Sequence, residues 1–388
     1  MSTKETRLTS AGRAPEANHG IVNPPVYHAS TIVYPTLAAL EEGDRTPYQG
    51  TRYGRRGTPT TFALEEAVAE LEGGFRSIAV PSGLAAITTS LLAFLKAGDH
   101  LLMVDTTYAP TRRFCDTVLA GLGIETSYYY PLADIAPLLR NNTRVVFAES
   151  PGSLTYEVQD IPRLAAAARA AGAVTMLDNT WSAGLLFAPF AHGVDVSIQA
   201  ATKYIVGHSD VMLGTITTTE ACFLRGKRTA SLLGVCAGPD DCYLALRGLR
   251  TLAVRLPRHE QTALTVACWL GSRPEVARVL HPALPDCPGH DVWRRDFSGS
   301  NGLLSVILHD VAKPALAAML DGLELFAMGY SWGGYESLIV PFDPRQARTA
   351  TPWTGVGPCL RLHCGLEDPG DLITDLKAVF GRLATAAV

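Results

Sequence analysis

The sequence predicts an α/β fold, with a large domain built on a mostly parallel, doubly wound sheet and a smaller C-terminal α+β domain. Three observations carry this. Short β-like runs alternate with helical stretches from Arg76 to Ala200, the pattern of a sheet covered on both faces. The alternation stops near Arg250, where a helical region to about Leu280 precedes the runs LLSVIL, LELFAMG and CLRLHCG. The chain has 388 residues, 47% hydrophobic and 18% charged, which is enough apolar material for two packed cores.

Taken in order, residues up to Arg56 hold five prolines and little periodicity, so 1–57 are expected to form an extended arm. A helix follows, with Thr58 placed to cap it, Pro59 in its first turn, apolar Phe62, Leu64, Val68 and Leu71, and Gly73-Gly74 at its end. RSIAV, HLLMVD, IETSYYY, RVVFAES, AVTMLDN and VDVSIQA read as strands. The intervening helices include Leu84–Lys96, Thr111–Leu122 and Ile161–Ala171. These place the large domain at 58–249 and the smaller one at 250–388, which closes with a helix capped by Asp368-Pro369.

Several classes are disfavoured. A net charge of −4 without a basic run gives no footprint for nucleic acid. The longest apolar stretch, Leu84–Leu95, contains three hydroxyl residues and is too short for a bilayer span. The N-terminus is polar and lacks the apolar centre of a signal peptide. Eight cysteines are scattered without a CxxC pair, so reduced thiols in a cytoplasmic protein are expected, and no metal site is predicted.

Four sites fall where strands of the large domain should end, the edge at which such sheets place their chemistry. Pro81-Ser82-Gly83-Leu84 opens a helix, whose small residues and dipole suit a phosphate. Tyr108 follows HLLMVD and could stack on a planar ligand. Asp178 ends an apolar strand, where its charge calls for a cationic partner. Lys203 is flanked by apolar Ile198, Ala201, Ile205 and Val206, a setting that lowers an ammonium pKa. Singly, each has a plain alternative: an ordinary turn, a packed tyrosine, a helix cap, a solvated lysine. Together they supply the amine, acid, phosphate cradle and ring surface that pyridoxal 5'-phosphate (PLP) needs.

From about Asn23 to its C-terminus the chain resembles the cysteine and methionine metabolism family of PLP enzymes, of fold type I. The motifs are TRYGRRGTPT, VPSGLAAI, ESPGS, DNTW, SIQAATKYIVGHSD, YSWGGYES and RLHCGLED. The resemblance implies a Schiff base on Lys203, which also takes the substrate's Cα proton once released. It implies Asp178 at the pyridine nitrogen, Tyr108 on the ring, and Gly83, Leu84 and Thr202 at the phosphate. Tyr53 and Arg55 would reach the phosphate of a neighbouring subunit, in a homotetramer built as a dimer of dimers. Tyr53 and Tyr108 would join Lys203 as catalytic residues. Arg361 would grip the substrate α-carboxylate as a bidentate fork, and Tyr330, Ser331 and Trp332 would line the substrate cavity.

Trp332 favours the family's β-lyase branch, because γ-acting relatives commonly carry an aliphatic residue there. The implied reaction is β-elimination of L-cystathionine to homocysteine, pyruvate and ammonia, in methionine biosynthesis. The alternatives within the family are a γ-lyase, a γ-synthase or a broad cysteine-S-conjugate lyase. Arg112 and Arg113 stand where β-lyase members can carry an acidic residue near the substrate's distal amino group. A reading from another class uses Gly329-Tyr330-Ser331-Trp332-Gly333, a literal GxSxG, with Ser331 as a hydrolase nucleophile and His363 as its partner. That elbow needs a helix after it, and Gly334, Pro341 and Pro344 oppose one.

Overall fold

Alternation of apolar strands and amphipathic helices builds two sheets in a computed structural model of the chain. It describes residues 3–46, 48–346, 348–350, 353–355 and 357–385; the first two residues of the expected arm and the last three of the C-terminal unit lie outside these. The elements are α1 (Lys4–Leu8), α2 (Leu37–Arg45), α3 (Pro59–Glu72), β1 (Arg76–Val80), α4 (Gly83–Phe94), β2 (His100–Val104) and α5 (Ala109–Phe114). Next come β3 (Glu125–Tyr129), β4 (Thr143–Glu149), α6 (Ile161–Ala170), β5 (Val174–Asp178), β6 (Val196–Gln199) and β7 (Gly214–Thr218). Helices α7 (Glu220–Leu233), α8 (Pro239–Leu249) and α9 (Leu252–Gly271) lead to β8 (Val276–Leu280), α10 (His290–Asp296), β9 (Leu303–Leu308) and α11 (Lys313–Leu320). The last are β10 (Ala327–Met328), β11 (Leu338–Phe342), β12 (Cys359–His363) and α12 (Pro369–Thr385).

The first sheet has the order β1-β7-β6-β5-β4-β2-β3, with β7 antiparallel to both neighbours and parallel pairing from β6 to β3. Its inner parallel strands β2, β4 and β5 are largely buried and read as apolar runs, as parallel strands do. Val80, Met103, Phe147 and Ile198 pack against α4 and α7 on one side; Leu102, Val146 and Leu177 pack against α6 on the other. The mostly parallel, doubly wound layer expected from the sequence is present, with β7 added. GTITT has no alternation and only one bulky apolar residue, so it gave no strand signal.

The second sheet, β10-β11-β12-β9-β8, is antiparallel except for the short β10–β11 pair. It packs on α9, α11 and α12 through Val266, Leu304, Leu360, Leu376 and Phe380. Here the sequence expectations need correction. The helical region ends at Gly271 and 276–280 is a strand; only two residues of LELFAMG are extended; and 338–342 form an additional strand. Pro341 concealed that strand, but β10 pairs only with Leu338 and Ile339, so the missing N–H costs no ladder bond on that side.

The N-terminal segment also differs from a coreless arm. Leu8 and Ala11 are buried against Leu64, Val68 and Leu71, and Lys4 Nζ donates to the Gly184 carbonyl at 2.9 Å. Beyond them Ile21, Val22, Val33 and Leu37 are exposed. Thr58 does occupy the N-cap position of α3, but its buried hydroxyl makes no cap bond and, among the described residues, has no partner. Among the described residues no helix is long and apolar enough to cross a membrane.

Leu376 is fully buried in the second core, so Leu376→Ala is expected to cost about 2–5 kcal/mol by cavity formation. A urea midpoint unchanged from wild type would show that this unit is packed differently.

Candidate active site

Every strand that runs parallel in the first sheet ends at one edge, and the candidate residues collect there. The β1–α4 turn places Gly83 against Ala200: a Cβ on Gly83 would lie 2.5 Å from the Ala200 Cβ. Ser82 Oγ caps the helix by accepting from Ala85 N–H at 3.0 Å. Among the described residues the N–H groups of Gly83 and Leu84 have no acceptor, which leaves two donors at a helix N-terminus for an anion.

Asp178 pairs in register with Glu149 on β4 and Ile198 on β6. Its Oδ1 accepts from the Thr180 hydroxyl at 2.5 Å and the Thr180 N–H at 3.1 Å. Thr180 Oγ1 in turn accepts from Ala200 N–H at 2.8 Å, which links the end of β5 to the Lys203 loop. Burial raises the Asp178 pKa, Glu72 adds to the rise, and the Thr180 bonds and Lys203 oppose it. Among the described residues Asp178 has no ion pair, so the cationic partner that its position calls for is not a protein side chain at bonding distance. A protonated ring nitrogen fits that vacancy of charge.

Lys203 lies four residues beyond β6. Its Nζ donates to Ser331 Oγ at 2.7 Å and sits 5.3 Å from the Trp332 ring centroid, within cation–π range. Burial lowers its pKa to about 8, helped by the Arg361 charge and opposed by Asp178. The lowered pKa expected from its apolar flanks is therefore present. Each of Lys203 and Asp178 shifts the other, so they share one electrostatic neighbourhood.

Tyr108 is half-exposed, as a surface against which a ring could lie must be. Its backbone N–H donates to Glu149 Oε2 at 2.7 Å. Glu149 itself is partly buried, and its pKa is raised well above the usual range, first by desolvation and then by the Asp178 charge. It supports the Tyr108 turn, a role that the ESPGS motif alone did not reveal. Below Asp178, buried Glu72 Oε1 accepts from Ser197 Oγ at 2.7 Å, Gln199 Nε2 at 2.9 Å and Asn179 Nδ2 at 3.0 Å. Glu72 closes a helix and looks solvent-facing in a helical pattern, so nothing local marked it.

Other candidates sit differently from expectation. The Thr202 hydroxyl donates to the Leu213 carbonyl at 3.1 Å and accepts from Leu213 N–H at 2.8 Å, so reaching a phosphate requires it to leave the carbonyl. Arg361 is not an open fork: Nη1 donates to Tyr330 O at 2.7 Å, and Nη2 donates to Ser331 O at 2.9 Å and Gly329 O at 3.0 Å. Its Nε is buried and, among the described residues, has no hydrogen-bond partner. Tyr330 is 90% exposed, outside the group around Lys203. Tyr53 is also exposed, and Arg55 donates to the Ser231 carbonyl at 2.8 Å, on α7.

Arg112 is buried, paired with Asp105 and lying 3.5 Å over the Tyr128 ring, whereas Arg113 is exposed. Arg112 is thus consumed in holding α5, leaving only Arg113 of the pair facing solvent. For Ser331, the hydrolase geometry is missing. No helix follows it before β11, its hydroxyl receives the Lys203 ammonium, and His363 Nε2 accepts from Gly333 N–H at 3.0 Å instead.

The lowered Lys203 pKa has a pH signature. Below about pH 8 the amine is mainly protonated and cannot attack an aldehyde, so PLP attachment to cofactor-free protein should speed up about tenfold per pH unit and level off above pH 8. Growth of near-visible absorption after mixing measures this, and Lys203→Ala should abolish or shift it. A rate that is flat from pH 6 to about 9 would contradict a buried, deprotonating amine.

The comparisons with known proteins cover nearly the whole chain. It is 47% identical over 388 residues to the cystathionine beta-lyase MetC of Escherichia coli, covering 98% of each protein. It is 40% identical to the L-alanine/L-glutamate racemase of Wolbachia pipientis, covering 98% of this chain and 97% of that one. The crystal structure of cystathionine gamma synthase from Xanthomonas oryzae in complex with cystathionine superposes with a TM-score of 0.90, at 30% identity and 99% coverage of both chains. Residues 5–381 match the model of a single family, and on that match the chain belongs to the Cys/Met metabolism PLP-dependent enzymes.

Proposed function

We propose that this chain is a carbon–sulfur lyase that cleaves L-cystathionine at Cβ, giving homocysteine, pyruvate and ammonia in methionine biosynthesis. The observation that carries the reading is the half-buried Lys203 amine, held against Ser331 and Trp332, with its pKa lowered to about 8 by desolvation, a shift that the Asp178 charge opposes. The similarity to the Escherichia coli cystathionine beta-lyase supports the substrate.

When bound, PLP supplies an electron sink for the charge that develops at the substrate Cα. Lys203 Nζ would hold the cofactor and then take the Cα proton, and a pKa near 8 leaves it basic enough to accept and free enough to act. Ser331 Oγ keeps that nitrogen in place, and the Trp332 face limits where its charge can sit. Asp178 would keep the ring nitrogen protonated; Gly83 and Leu84 would receive the phosphate on their N–H groups. Thr202 would join them by turning its hydroxyl. Arg361 would meet the α-carboxylate through its unpartnered Nε once the 329–331 turn yields a carbonyl. Tyr108 would cover the ring and assist proton transfer.

The assembly reading rests on the arm. Exposed Ile21, Val22, Val33, Leu37 and Tyr53 form a surface suited to burial by a second copy. We propose a homotetramer, a dimer of dimers, in which Tyr53 and Arg55 reach a neighbour's phosphate. The division 1–57, 58–249 and 250–388 then separates arm, cofactor unit and C-terminal unit. Eight free thiols fit a cytoplasmic setting.

Two experiments test these readings. Incubation with PLP and L-cystathionine should give pyruvate; 2-oxobutyrate would instead mark γ-cleavage, and D-amino acids without keto acid would mark racemisation. Arg55→Ala and Tyr53→Phe should weaken cofactor retention, and mixing Arg55→Ala with Lys203→Ala subunits should restore part of the activity. Mixed subunits no better than either parent would dismiss the shared site.

A further inference from the structure

The turn that closes over Lys203 is held at both ends by one buried imidazole. His363 ends β12 and is fully buried. Its Nε2 accepts from Gly333 N–H at 3.0 Å, and its Nδ1 lies 3.1 Å from the Glu336 carbonyl, to which it can only donate. Both bonds exist together only for a neutral ring carrying its proton on Nδ1. An imidazolium could not accept from Gly333.

Gly333 sits at φ 89°, and a Cβ there would meet Lys203 Cα at 3.0 Å and Tyr204 N at 2.8 Å. The clamped turn therefore rests directly on the Lys203 backbone. The two residues before Gly333 are Trp332 and Ser331, whose side chains meet Nζ. At the far end, Glu336 accepts from Ser209, which ties the turn to the same loop.

The surroundings keep the ring neutral. His259 and Tyr204 rings lie 5.2 and 5.9 Å from it, and the Arg361 and Lys203 charges face it. Burial pushes the His363 pKa well below its ordinary value, His259, Arg361 and Lys203 push the same way, and the bond to Glu336 opposes them.

We propose that His363 is a positioning residue whose neutral imidazole clamps the Gly333–Glu336 turn and thereby fixes Ser331 and Trp332 against Lys203 Nζ. This rests on Lys203 as the cofactor lysine and deepens it by naming what holds its two contacts.

His363→Phe preserves a ring against Tyr204 and His259 but can neither accept nor donate. Amide exchange across 331–336 should accelerate in this variant, in cofactor-free and loaded protein alike. Turnover of L-cystathionine should fall about five- to tenfold for each bond lost, with KM changed much less. His363→Gln, whose amide oxygen can still take the Gly333 N–H, should run about five- to tenfold faster than His363→Phe. In a Ser331→Ala background His363→Phe should add little, because both changes release the same contact.

Wild-type exchange rates in the turn, or losses that simply multiply with Ser331→Ala, would overturn the clamp. If His363→Phe does not fold, His363→Gln and His363→Asn each keep one bond and carry the same exchange comparison; unaltered exchange in both has the same meaning. A visible band surviving in Lys203→Ala would remove the cofactor lysine, whereas exchange in the cofactor-free protein reads the clamp alone.

Discussion

A partly desolvated amine at the meeting of two sheets organises this molecule. Lys203 comes from the edge of the large sheet, yet its contacts, Ser331 and Trp332, come from the turn between β10 and β11 of the other sheet. Neither sheet alone can bury it. The two layers must therefore dock before the amine acquires its lowered pKa, and the interface between them is spent on that docking. Gly302 N–H donates to Tyr204 Oη at 2.9 Å and Asn301 Nδ2 to Trp181 O at 2.7 Å, each next to a residue of the site.

Beneath this lies a second constraint, the burial of like charges. Asp178, Glu149 and Glu72 all stand within the large sheet and its covering helix, and burial raises the pKa of Asp178 and Glu149. Each is met by donors that leave it in place. Thr180 serves Asp178; Tyr108 N–H and the Thr107 hydroxyl serve Glu149; Ser197, Gln199 and Asn179 serve Glu72. The Lys203 charge offsets part of this cost at Asp178, and a cationic ring held there as proposed would offset more.

Much of this was legible in the chain, for identifiable reasons. Strands buried on both faces announce themselves as short apolar runs, and a charged residue at the end of such a run, as in VTMLD, stands out. The same logic brought out Lys203 among apolar neighbours. What escaped lacked local contrast. GTITT and LIVPF were masked by threonine, glycine and proline. Glu72 sat on a helix, where an acid is unremarkable until tertiary contacts are known. His363 was noticed only as a partner for Ser331, because sequence cannot tell which ring nitrogen meets which backbone group. Arg112 stood out only as a basic residue where an acidic one can occur, because its pairing with Asp105 depends on a loop turning back on itself. Arg361 stood out as a candidate carboxylate fork, but its bonds to the carbonyls of 329–331 arise only from tertiary folding.

The pairing of Thr202 with Leu213 sets which wall of the site can yield. Thr202 and Leu213 exchange three hydrogen bonds, Arg255 grips the Tyr204 carbonyl, and Thr180 holds Ala200 from the other side. The loop bearing the lysine is thus stitched into the sheet along its length, and displacing it means unravelling several bonds at once. The opposite wall begins at Tyr330, which is almost wholly in solvent. A two-headed amino acid entering here, as proposed, would be accommodated by the outer wall, while the Lys203 nitrogen stays anchored like the fixed jaw of a vice.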